Sequence, residues 1–231
     1  NCFESANSSL TAFGTNIQWF SDIALTTLVF SGDSFAPVDS SVGTYTYYAT
    51  QTDTVTGCVS AAMSATLTIN TLPSAPVSSD TSIVYGSPVP DLTASGANVQ
   101  WYSDSALTVL EASGNNFSSG DSVVGTYTYF VTQSDSVTGC ESQATTVTLT
   151  ILPGAPLASG GFSCEGDSAL SLSASGTNIQ WYSDSALTIL VFAGDTFATG
   201  DSIAGTYTYY ATQTVGGMES PAVHSMPNRK S

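Results

Sequence analysis

The sequence contains almost no positive charge. Only two of its 231 residues are basic, Arg229 and Lys230, against 18 acidic residues, which gives a formal net charge of −16. An acidic surface of this kind repels phosphate groups, so nucleic acids are not expected as partners. Only 9% of the residues are charged, whereas 42% are hydrophobic and 10% are aromatic, which indicates a folded chain with a core rather than a disordered one.

Long apolar runs are also missing. No stretch reaches the roughly 18 consecutive apolar residues of a membrane-spanning helix, so direct membrane insertion is not expected. The first residues, Asn-Cys-Phe-Glu, lack the basic region and apolar core of a signal peptide. Because they begin inside a pattern that recurs later in the chain, we expect the sequence to be a piece of a longer protein.

Side chains for catalysis and for binding transition metals are scarce. The single histidine, His224, lies close to the C-terminus. A catalytic triad needs a base that the fold holds in place, which a residue in a tail does not provide. The sequence has no cluster of histidines and cysteines with zinc-ligand spacing. We therefore expect no enzymatic activity, no catalytic residue and no cofactor.

One unit occurs three times. Segment 16–22 (Asn-Ile-Gln-Trp-Phe-Ser-Asp) is repeated in closely similar form at 98–104 and 178–184, and its tryptophans, Trp19, Trp101 and Trp181, are 82 and 80 residues apart. Each tryptophan is followed by two leucines, a phenylalanine and the motif Gly-Thr-Tyr-Thr-Tyr. Proline-containing connectors at 72–76 and 152–156 separate the units as short, stiff linkers. We therefore predict three domains, called here repeat 1 (residues 1–72), repeat 2 (73–152) and repeat 3 (153–231).

Within a repeat the hydrophobic period is two, as in strands that are buried on one face, and no helical period occurs. In repeat 2 the pattern predicts seven strands, at residues 76–84, 91–95, 97–103, 108–112, 116–118, 126–133 and 145–151. Seven short strands with a tryptophan on the third predict an immunoglobulin-like β-sandwich. The predicted fold is all-β, with three tandem immunoglobulin-like sandwiches joined end to end as a rod.

Both ends of the chain depart from this pattern. Repeat 1 has no counterpart of the first strand of repeat 2, and repeat 3 ends without the apolar residues of the last strand. Pro227 would also interrupt a hydrogen-bonded ladder, so we expect a degraded last strand there. Either the sequence is cut within the array, or a neighbouring copy adds the missing strand to the sheet edge.

The four cysteines occupy two equivalent sites, 17 residues before a tryptophan (Cys2, Cys164) and 39 residues after one (Cys58, Cys140). Pairing Cys2 with Cys58 would join opposite poles of one sandwich, about 20 Å apart by strand rise and beyond the reach of a disulfide. Pairing across the junction joins Cys2 to Cys140 within the chain, and in a head-to-tail polymer Cys164 reaches Cys58 of the next copy. Bridging within a repeat and free thiols are the alternatives. Disulfides imply an oxidising, extracellular setting.

Acidic and amide side chains recur six residues apart in one loop of every repeat: Asp33 with Asp39, Asn115 with Asp121, and Asp195 with Asp201. Oxygen-rich loops can bind calcium, so the five aspartates are candidate ligands. The alternative is that these residues form ordinary turns through local hydrogen bonds to the backbone.

Six aromatic residues alternate with inward-facing ones on neighbouring predicted strands, which places them on the outer face: Phe20, Tyr48, Tyr102, Phe130, Tyr182 and Tyr210. They either form cross-strand pairs that stabilise the sheet or offer a contact surface for sugars or for a neighbouring rod.

Three motifs carry a resemblance to a known family: Trp-Tyr-Ser-Asp (101–104 and 181–184), Gly-Thr-Tyr-Thr-Tyr-Tyr-Ala-Thr-Gln (43–51 and 205–213) and Thr-Gly-Cys-Glu-Ser (138–142). They resemble the immunoglobulin-like repeats of secreted, cell-surface proteins of the Bacteroidota, which occur in adhesins and gliding-associated proteins exported by the type IX pathway. The resemblance covers nearly the whole chain. It implies an extracellular stalk or fibre module and brings no catalytic residue.

A second resemblance concerns glycosylation. Asp followed by Ser or Thr and a small apolar residue is similar to the O-glycosylation acceptor motif of secreted Bacteroidota proteins. The motif implies acceptor hydroxyls at Thr54, Ser105, Ser122, Ser136, Ser168, Ser185 and Ser202.

Taken together, the residues and the resemblance predict a structural protein at the extracellular surface of a bacterium. It is either a stalk or the subunit of a fibre whose copies associate head to tail. The alternative is an adhesin that holds surface glycans through the outward aromatic residues or a calcium loop.

Overall fold

The computed structural model describes residues 1–163, 171–201, 205–224 and 228–230. Every regular element in these ranges is a β-strand, so the predicted all-β class is confirmed. Within the same ranges no helix has the length and apolar character needed to cross a membrane.

Repeat 1 forms six strands: β1 (Leu10–Thr11), β2 (Gln18–Phe20), β3 (Leu28–Ser31), β4 (Ser34–Phe35), β5 (Gly43–Thr50) and β6 (Met63–Ile69). One sheet has the order β3-β2-β5-β6, and β1 pairs with β4 in a second. Cys2 forms an isolated parallel bridge with Asn70, one residue beyond β6.

Repeat 2 forms eight strands: β7 (Val77–Ser78), β8 (Thr81–Val84), β9 (Leu92–Ser95), β10 (Gln100–Tyr102), β11 (Leu110–Ser113), β12 (Asn116–Phe117), β13 (Gly125–Thr132) and β14 (Thr145–Leu152). The larger sheet has the order β11-β10-β13-β14-β8, and the smaller one has the order β12-β9-β7. Buried residues from both sheets form a single core, as the predicted sandwich requires.

The described residues of repeat 3 form twelve shorter strands: β15 (Leu157–Ser159), β16 (Phe162–Ser163), β17 (Ser171–Ser175), β18 (Gln180–Tyr182), β19 (Leu190–Ala193), β20 (Thr196–Ala198), β21 (Thr206–Tyr207), β22 (Tyr210–Thr212), β23 (Thr214–Val215), β24 (Met218–Glu219), β25 (Val223–His224) and β26 (Asn228–Lys230). Its main sheet, β19-β18-β22-β25, and the sheet β15-β17-β20 correspond to the two layers of repeat 2.

An aromatic cluster occupies the centre of each core. In repeat 2 the Trp101 ring lies 5.4 Å from the Phe117 ring, which meets Tyr129 edge-on at 4.8 Å between centroids. Trp101 is fully buried, and its indole N–H donates to the carbonyl of Gly114 at 2.9 Å. The equivalent residues of repeats 1 and 3 form the same contacts, so period-two alternation correctly predicts which aromatic residues face inward.

The first strand predicted in repeat 2, residues 76–84, is two strands that belong to different sheets. β7 pairs with β9, whereas β8 runs parallel to β14. Between them, Asp80 accepts a hydrogen bond from the backbone N–H of Thr148 at 2.8 Å. This bond anchors the point at which the chain crosses from one sheet to the other, and the alternation of apolar residues on either side does not reveal the crossing.

The described residues at the end of repeat 3 form two short strands where repeat 2 has the single strand β14. Val223 and His224 pair with β22, and Asn228 and Arg229 pair with β21, in the position that β14 occupies in repeat 2. Pro227 lies outside the described residues. Backbone pairing therefore persists on both sides of 225–227 although the apolar pattern of β14 is missing.

A buried tyrosine ties the preceding loop to the sheet in every repeat. The hydroxyl of Tyr129 donates to the carboxylate of Asp121 at 2.6 Å, and that of Tyr209 donates to Asp201 at 3.0 Å. Tyr47 makes the same bond to Asp39. Burial, followed by the hydrogen bond to the carboxylate, raises the pKa of Tyr47 and of Tyr209 to about 12.

These tyrosines predict a loss of stability in alkali. Because the folded-state pKa lies above the value of about 10 in an unfolded chain, their contribution is complete below about pH 10 and is lost as the pH rises towards about 12. We expect the urea midpoint to fall over this range, and to fall less steeply in Tyr47→Phe. Tyr85→Phe, at a residue that is 59% exposed, is the control, and its urea midpoint falls with pH as steeply as that of the wild type. Equal slopes for Tyr47→Phe and the wild type would contradict the assignment.

Candidate functional site

A disulfide joins repeats 1 and 2. Cys2 and Cys140 have sulfurs 2.05 Å apart and Cα atoms 5.4 Å apart, across 138 residues of sequence. Cys140 is completely buried. This is the pair that the junction argument predicts, and the pairing of Cys2 with Cys58 does not form.

A second contact lies beside the disulfide. The side-chain amide of Gln143 donates to the carboxylate of Glu4 at 3.2 Å. Glu4 and Gln143 are two and three residues from the bridged cysteines, so the covalent bond and the hydrogen bond act at the same place. Two segments distant in sequence are thereby held together at the junction.

The linker that enters repeat 2 is held by a glutamine at the end of β13. The Gln133 amide nitrogen donates to the carbonyl of Ser74 at 2.5 Å, and its oxygen accepts from the N–H of Ala97 at 2.8 Å. Thr145 adds a bond from its hydroxyl to the carbonyl of Pro76 at 2.6 Å. Gln133 therefore fixes the linker to the body of the repeat that it enters.

The same arrangement recurs at the entry of repeat 3, where Gln213 donates to the carbonyl of Gly154 at 2.7 Å and accepts from Thr177 at 3.0 Å. A glycine makes room for the glutamine, because a Cβ at Gly176 would lie 2.5 Å from its side-chain oxygen. The alternation of apolar residues does not predict this glutamine contact. The feature of the sequence that could have indicated the contact is the glycine–glutamine pair, which recurs at a fixed separation as Gly96 with Gln133 and Gly176 with Gln213.

The other two cysteines are the candidates for a bond between copies. Cys58 is a free, exposed thiol. Cys164 lies outside the described residues, so the predicted bond between Cys58 and Cys164 of different copies stays a prediction. At the next junction the sites equivalent to Cys2 and Cys140 hold Val84 and Met218, both partly buried.

Two of the six aromatic residues predicted to face outward are buried, which corrects the expected contact surface. Tyr102 and Tyr182 are each only 8% exposed. The predicted neighbours do lie directly opposite each other, Tyr102 with Phe130 and Tyr182 with Tyr210. Phe20 and Tyr48 pair likewise, and both are partly buried, as are Phe130 and Tyr210.

A glutamate in the connection between β13 and β14 bonds to hydroxyl groups on the outer face of repeat 2. The Glu141 carboxylate accepts from the Thr132 hydroxyl at 2.5 Å and lies 3.3 Å from the Tyr102 hydroxyl, which also donates to Gln100 at 2.6 Å. Burial and the nearby carboxylate raise the pKa of Tyr102. Strand parity places Tyr102 opposite Phe130 but does not predict its burial or its contact with Glu141.

Repeat 3 has the same network, with Tyr182, Thr212 and Glu219. Repeat 1 has lost two of its members, since Phe20 and Val59 stand in place of the tyrosine and the glutamate. Its threonine remains: Thr50 is 2% exposed, and its hydroxyl has no hydrogen-bond partner.

The calcium candidates act as turn and loop anchors in the structure. The carboxylates of Asp39, Asp121 and Asp201 accept from the buried tyrosines described above. Asp33 and Asp195 are exposed, and their backbone carbonyls accept from Ala12 and Ala174. Within the described ranges, no three His, Cys, Asp or Glu side chains are grouped closely enough to hold a metal ion.

The aspartates that end the tryptophan strands are turn residues as well. The Asp104 carboxylate accepts from the N–H groups of Thr108 and Val109 at 2.9 and 2.7 Å, which closes a turn in which Leu107 has a φ of 57°. These bonds lower the pKa of Asp104.

Five of the glycosylation candidates lie in exposed positions: Thr54, Ser105, Ser122, Ser136 and Ser185. Ser168 and Ser202 lie outside the described residues, and His224 is exposed on β25.

Equivalence of the two junctions predicts that a second bridge can be built. In Val84→Cys/Met218→Cys, on a background with Cys58→Ser and Cys164→Ser, we expect a disulfide between repeats 2 and 3, because the positions match Cys2 and Cys140. Peptide mapping without reductant detects the bond, and each single variant is the control. If the double variant keeps two free thiols under oxidising conditions, the junctions differ in geometry.

The unpaired Thr50 hydroxyl predicts a stabilising change. Phe20→Tyr/Val59→Glu supplies the acceptor that repeats 2 and 3 possess, so we expect β5 to become more stable by about 1–2 kcal/mol. Hydrogen exchange of the β5 amides measures this directly. Glu141→Val is the reverse control, since it leaves Thr132 unpaired and weakens β13. Unchanged protection in both variants would show that the network contributes nothing.

Comparison with known proteins agrees with this geometry. Residues 73–153 match the model of the family described as Ig-like domain CHU_C associated. Immunoglobulin-like domains are typically non-enzymatic, and no catalytic family matches. No curated protein matches the chain significantly.

Solved structures with some similarity include immunoglobulin domains 1–5 of Sidekick-1, with 12% identity, a TM-score of 0.29, and coverage of 100% of this chain and 58% of that one. The human desmocollin-1 ectodomain gives 12% identity, a TM-score of 0.23, and coverage of 96% and 51%. The chain thus spans little more than half the length of either, and similarity this low supports no further argument. The chain has an all-β, immunoglobulin-like fold, and its middle repeat is similar to the CHU_C-associated immunoglobulin-like domains.

Proposed function

We propose that this chain is a structural element of an extracellular assembly at a bacterial surface, either a stalk or the subunit of a head-to-tail fibre. The observation that carries the proposal is the junction of repeats 1 and 2, which is closed by the Cys2–Cys140 disulfide. A disulfide of this kind persists in oxidising surroundings, and an immunoglobulin-like fold is common at cell surfaces.

The hydrogen bonds around the linker support a stiff joint. Ser74 and Pro76 are bonded to Gln133 and Thr145, so the linker has little freedom to swing relative to repeat 2. Gln213 restrains Gly154 in the same way. The joint between repeats 1 and 2, which is restrained both covalently and by hydrogen bonds, suits a rod better than a chain of freely jointed domains.

The adhesin alternative has less support. Its aromatic platform would include Tyr102 and Tyr182, which are buried beneath a glutamate network. Its calcium loop would use Asp121 and Asp201, whose carboxylates already accept hydrogen bonds from tyrosines. These groups stabilise the repeat and leave little for a glycan or a cation.

Head-to-tail association uses the two remaining cysteines. Cys58 is exposed and unpaired, as an attachment point for another copy requires. Cys164 is equivalent in sequence to Cys2, so a copy that presents Cys164 to Cys58 would repeat the junction already present within the chain. In this proposal the fibre is an extension of the internal array.

Peptide mapping of native material without reductant tests the proposal. We expect a Cys2–Cys140 link within the chain, a Cys58–Cys164 link between chains, and a ladder of oligomers that reductant collapses. Cys58→Ser is the control and removes the ladder while the Cys2–Cys140 link remains. Free thiols at Cys58 and Cys164 in native material would overturn the fibre and leave the stalk. Absence of the Cys2–Cys140 link would overturn both the stalk and the fibre.

The same peptide map reports O-glycans on the five exposed acceptor candidates.

A further inference from the structure

Repeats 2 and 3 each hold an extended linker along one edge of the smaller sheet. In repeat 2 the linker continues into β7, where Val77 pairs with Ser95 of β9, and in repeat 3 β15 pairs with β17 in the same way. Pro76 and Pro156 of the two linkers are buried. The strand edge and the glutamine that hold each linker, β9 with Gln133 and β17 with Gln213, are called the linker sites.

The corresponding strand edge of repeat 1 is open. Within the described residues β1 pairs with β4 alone, whereas β9 and β17 have a strand on either side. The N–H of Ala12 donates to the carbonyl of Asp33 at 2.9 Å, on the side of β4. Because successive N–H groups of a strand point in opposite directions, those of Thr11 and Phe13 point to the open side.

The core of repeat 1 is less completely covered at this edge. Leu10 and Ala12 are partly exposed, whereas the equivalent Leu92 and Ala94 of repeat 2 are 1% and 5% exposed. The cover that the linker and its strand provide in repeat 2 is therefore what these two side chains lack.

Two large apolar side chains lie beside the open edge. Phe13 is 96% exposed and occupies the position of Ser95, the partner of Val77 in repeat 2. Met63 is 74% exposed and occupies the position of Thr145, which bonds to the linker in repeat 2. An apolar residue on an incoming strand would pack beside Phe13 as a cross-strand pair.

The glutamine of the linker site is also present in repeat 1. Gly14 makes room for Gln51 as Gly96 does for Gln133, and the Gln51 side-chain oxygen accepts from the N–H of Thr15 at 3.4 Å. The amide nitrogen of Gln133 donates to a linker carbonyl, whereas that of Gln51 has no hydrogen-bond partner in the described part of the chain. β1 and Gln51 together form the linker site of repeat 1.

We propose that the linker site of repeat 1 binds an uncharged, proline-containing linker of another immunoglobulin-like repeat, in the position that residues 74–78 have on repeat 2. The other two sites identify this occupant, because the same strand edge, glycine and glutamine hold such a segment in both. Segments 72–79 and 152–159 contain no charged residue, so the acidic chain does not repel a peptide of this composition.

The linkers of a second copy are unsuited to this site because their own repeats already hold them. Ser74 and Gly154 are bonded to Gln133 and Gln213, so a second copy would have to break one such contact to make another. The bound linker therefore comes from a repeat outside this sequence. This binding goes beyond the proposed stalk or fibre and does not need Cys58.

Titration of the complete chain with a synthetic peptide of residues 72–79 (Leu-Pro-Ser-Ala-Pro-Val-Ser-Ser) tests the proposal. NMR spectra of the chain report the binding, and we expect the largest shifts at the backbone amides of Thr11 and Phe13 and at the side-chain amide of Gln51.

Gln51→Glu removes the donor and keeps the oxygen that accepts from Thr15, so we expect it to weaken peptide binding about fivefold or more. The matched control, Val137→Glu, adds the same charge at a residue of repeat 2 that is 91% exposed, and the affinity stays unchanged.

A tethered peptide makes the test independent of a low affinity. Residues 72–82 are attached ahead of Asn1, a length set by the equivalence of Cys2 with Val84, and the tether raises the effective concentration of the peptide. We expect hydrogen exchange at Thr11 and Phe13 to slow by roughly tenfold or more, and Gln51→Glu to reverse most of this protection.

Unchanged exchange in the tethered chain overturns the proposal, as does equal affinity of the wild type and Gln51→Glu for the free peptide. A dimer of the chain alone that the peptide dissociates would identify a second copy as the occupant and overturn the choice of linker. None of these outcomes changes the Cys58–Cys164 ladder by which the fibre is judged.

Discussion

The packing of one tryptophan, one phenylalanine and one tyrosine is the interaction on which each repeat depends. In repeat 2 these are Trp101 on β10, Phe117 on β12 and Tyr129 on β13, so a single column of rings joins both sheets. The polar groups of these rings also form hydrogen bonds to the segments around the core. The indole of Trp101 bonds to the carbonyl of Gly114, just beyond β11, and the hydroxyl of Tyr129 bonds to the loop at Asp121. The position of the edge strand and of the loop before β13 both follow from this column.

Surface features vary among the repeats while this column stays the same. Tyrosine and glutamate occur together in repeats 2 and 3, and phenylalanine and valine replace them together in repeat 1, where only the threonine donor, Thr50, remains. The cysteines vary by junction in the same way, since Val84 and Met218 replace both members of one pair. In repeat 1 the joint replacement therefore marks a contact, because the tyrosine and the glutamate touch in repeats 2 and 3.

Much of the fold is predictable from the sequence because the underlying signals are local or periodic. Alternation identifies the inward-facing Trp101 and Tyr129, and the recurrence of the repeats makes it possible to pair Cys2 with Cys140. The errors involve contacts between distant segments. The crossing at Asp80 and the burial of Tyr102 depend on Thr148 and Glu141, which local alternation does not connect to them. The local pattern does not identify Gln133 either, because its partner, Ser74, lies 59 residues away.

The disulfide between Cys2 and Cys140 also decides which parts of the chain bear load. When the two ends of this chain are pulled, tension passes from Asn1 through the sulfur–sulfur bond to Cys140 and continues towards Ser231. The residues between the cysteines, separated by 138 positions, form a loop outside this path, so repeat 1 and most of repeat 2 are shielded from the force. Reduction would return them to the path and add roughly 480 Å of extensible chain. The redox state of the surroundings thereby sets how far this chain can stretch before it breaks.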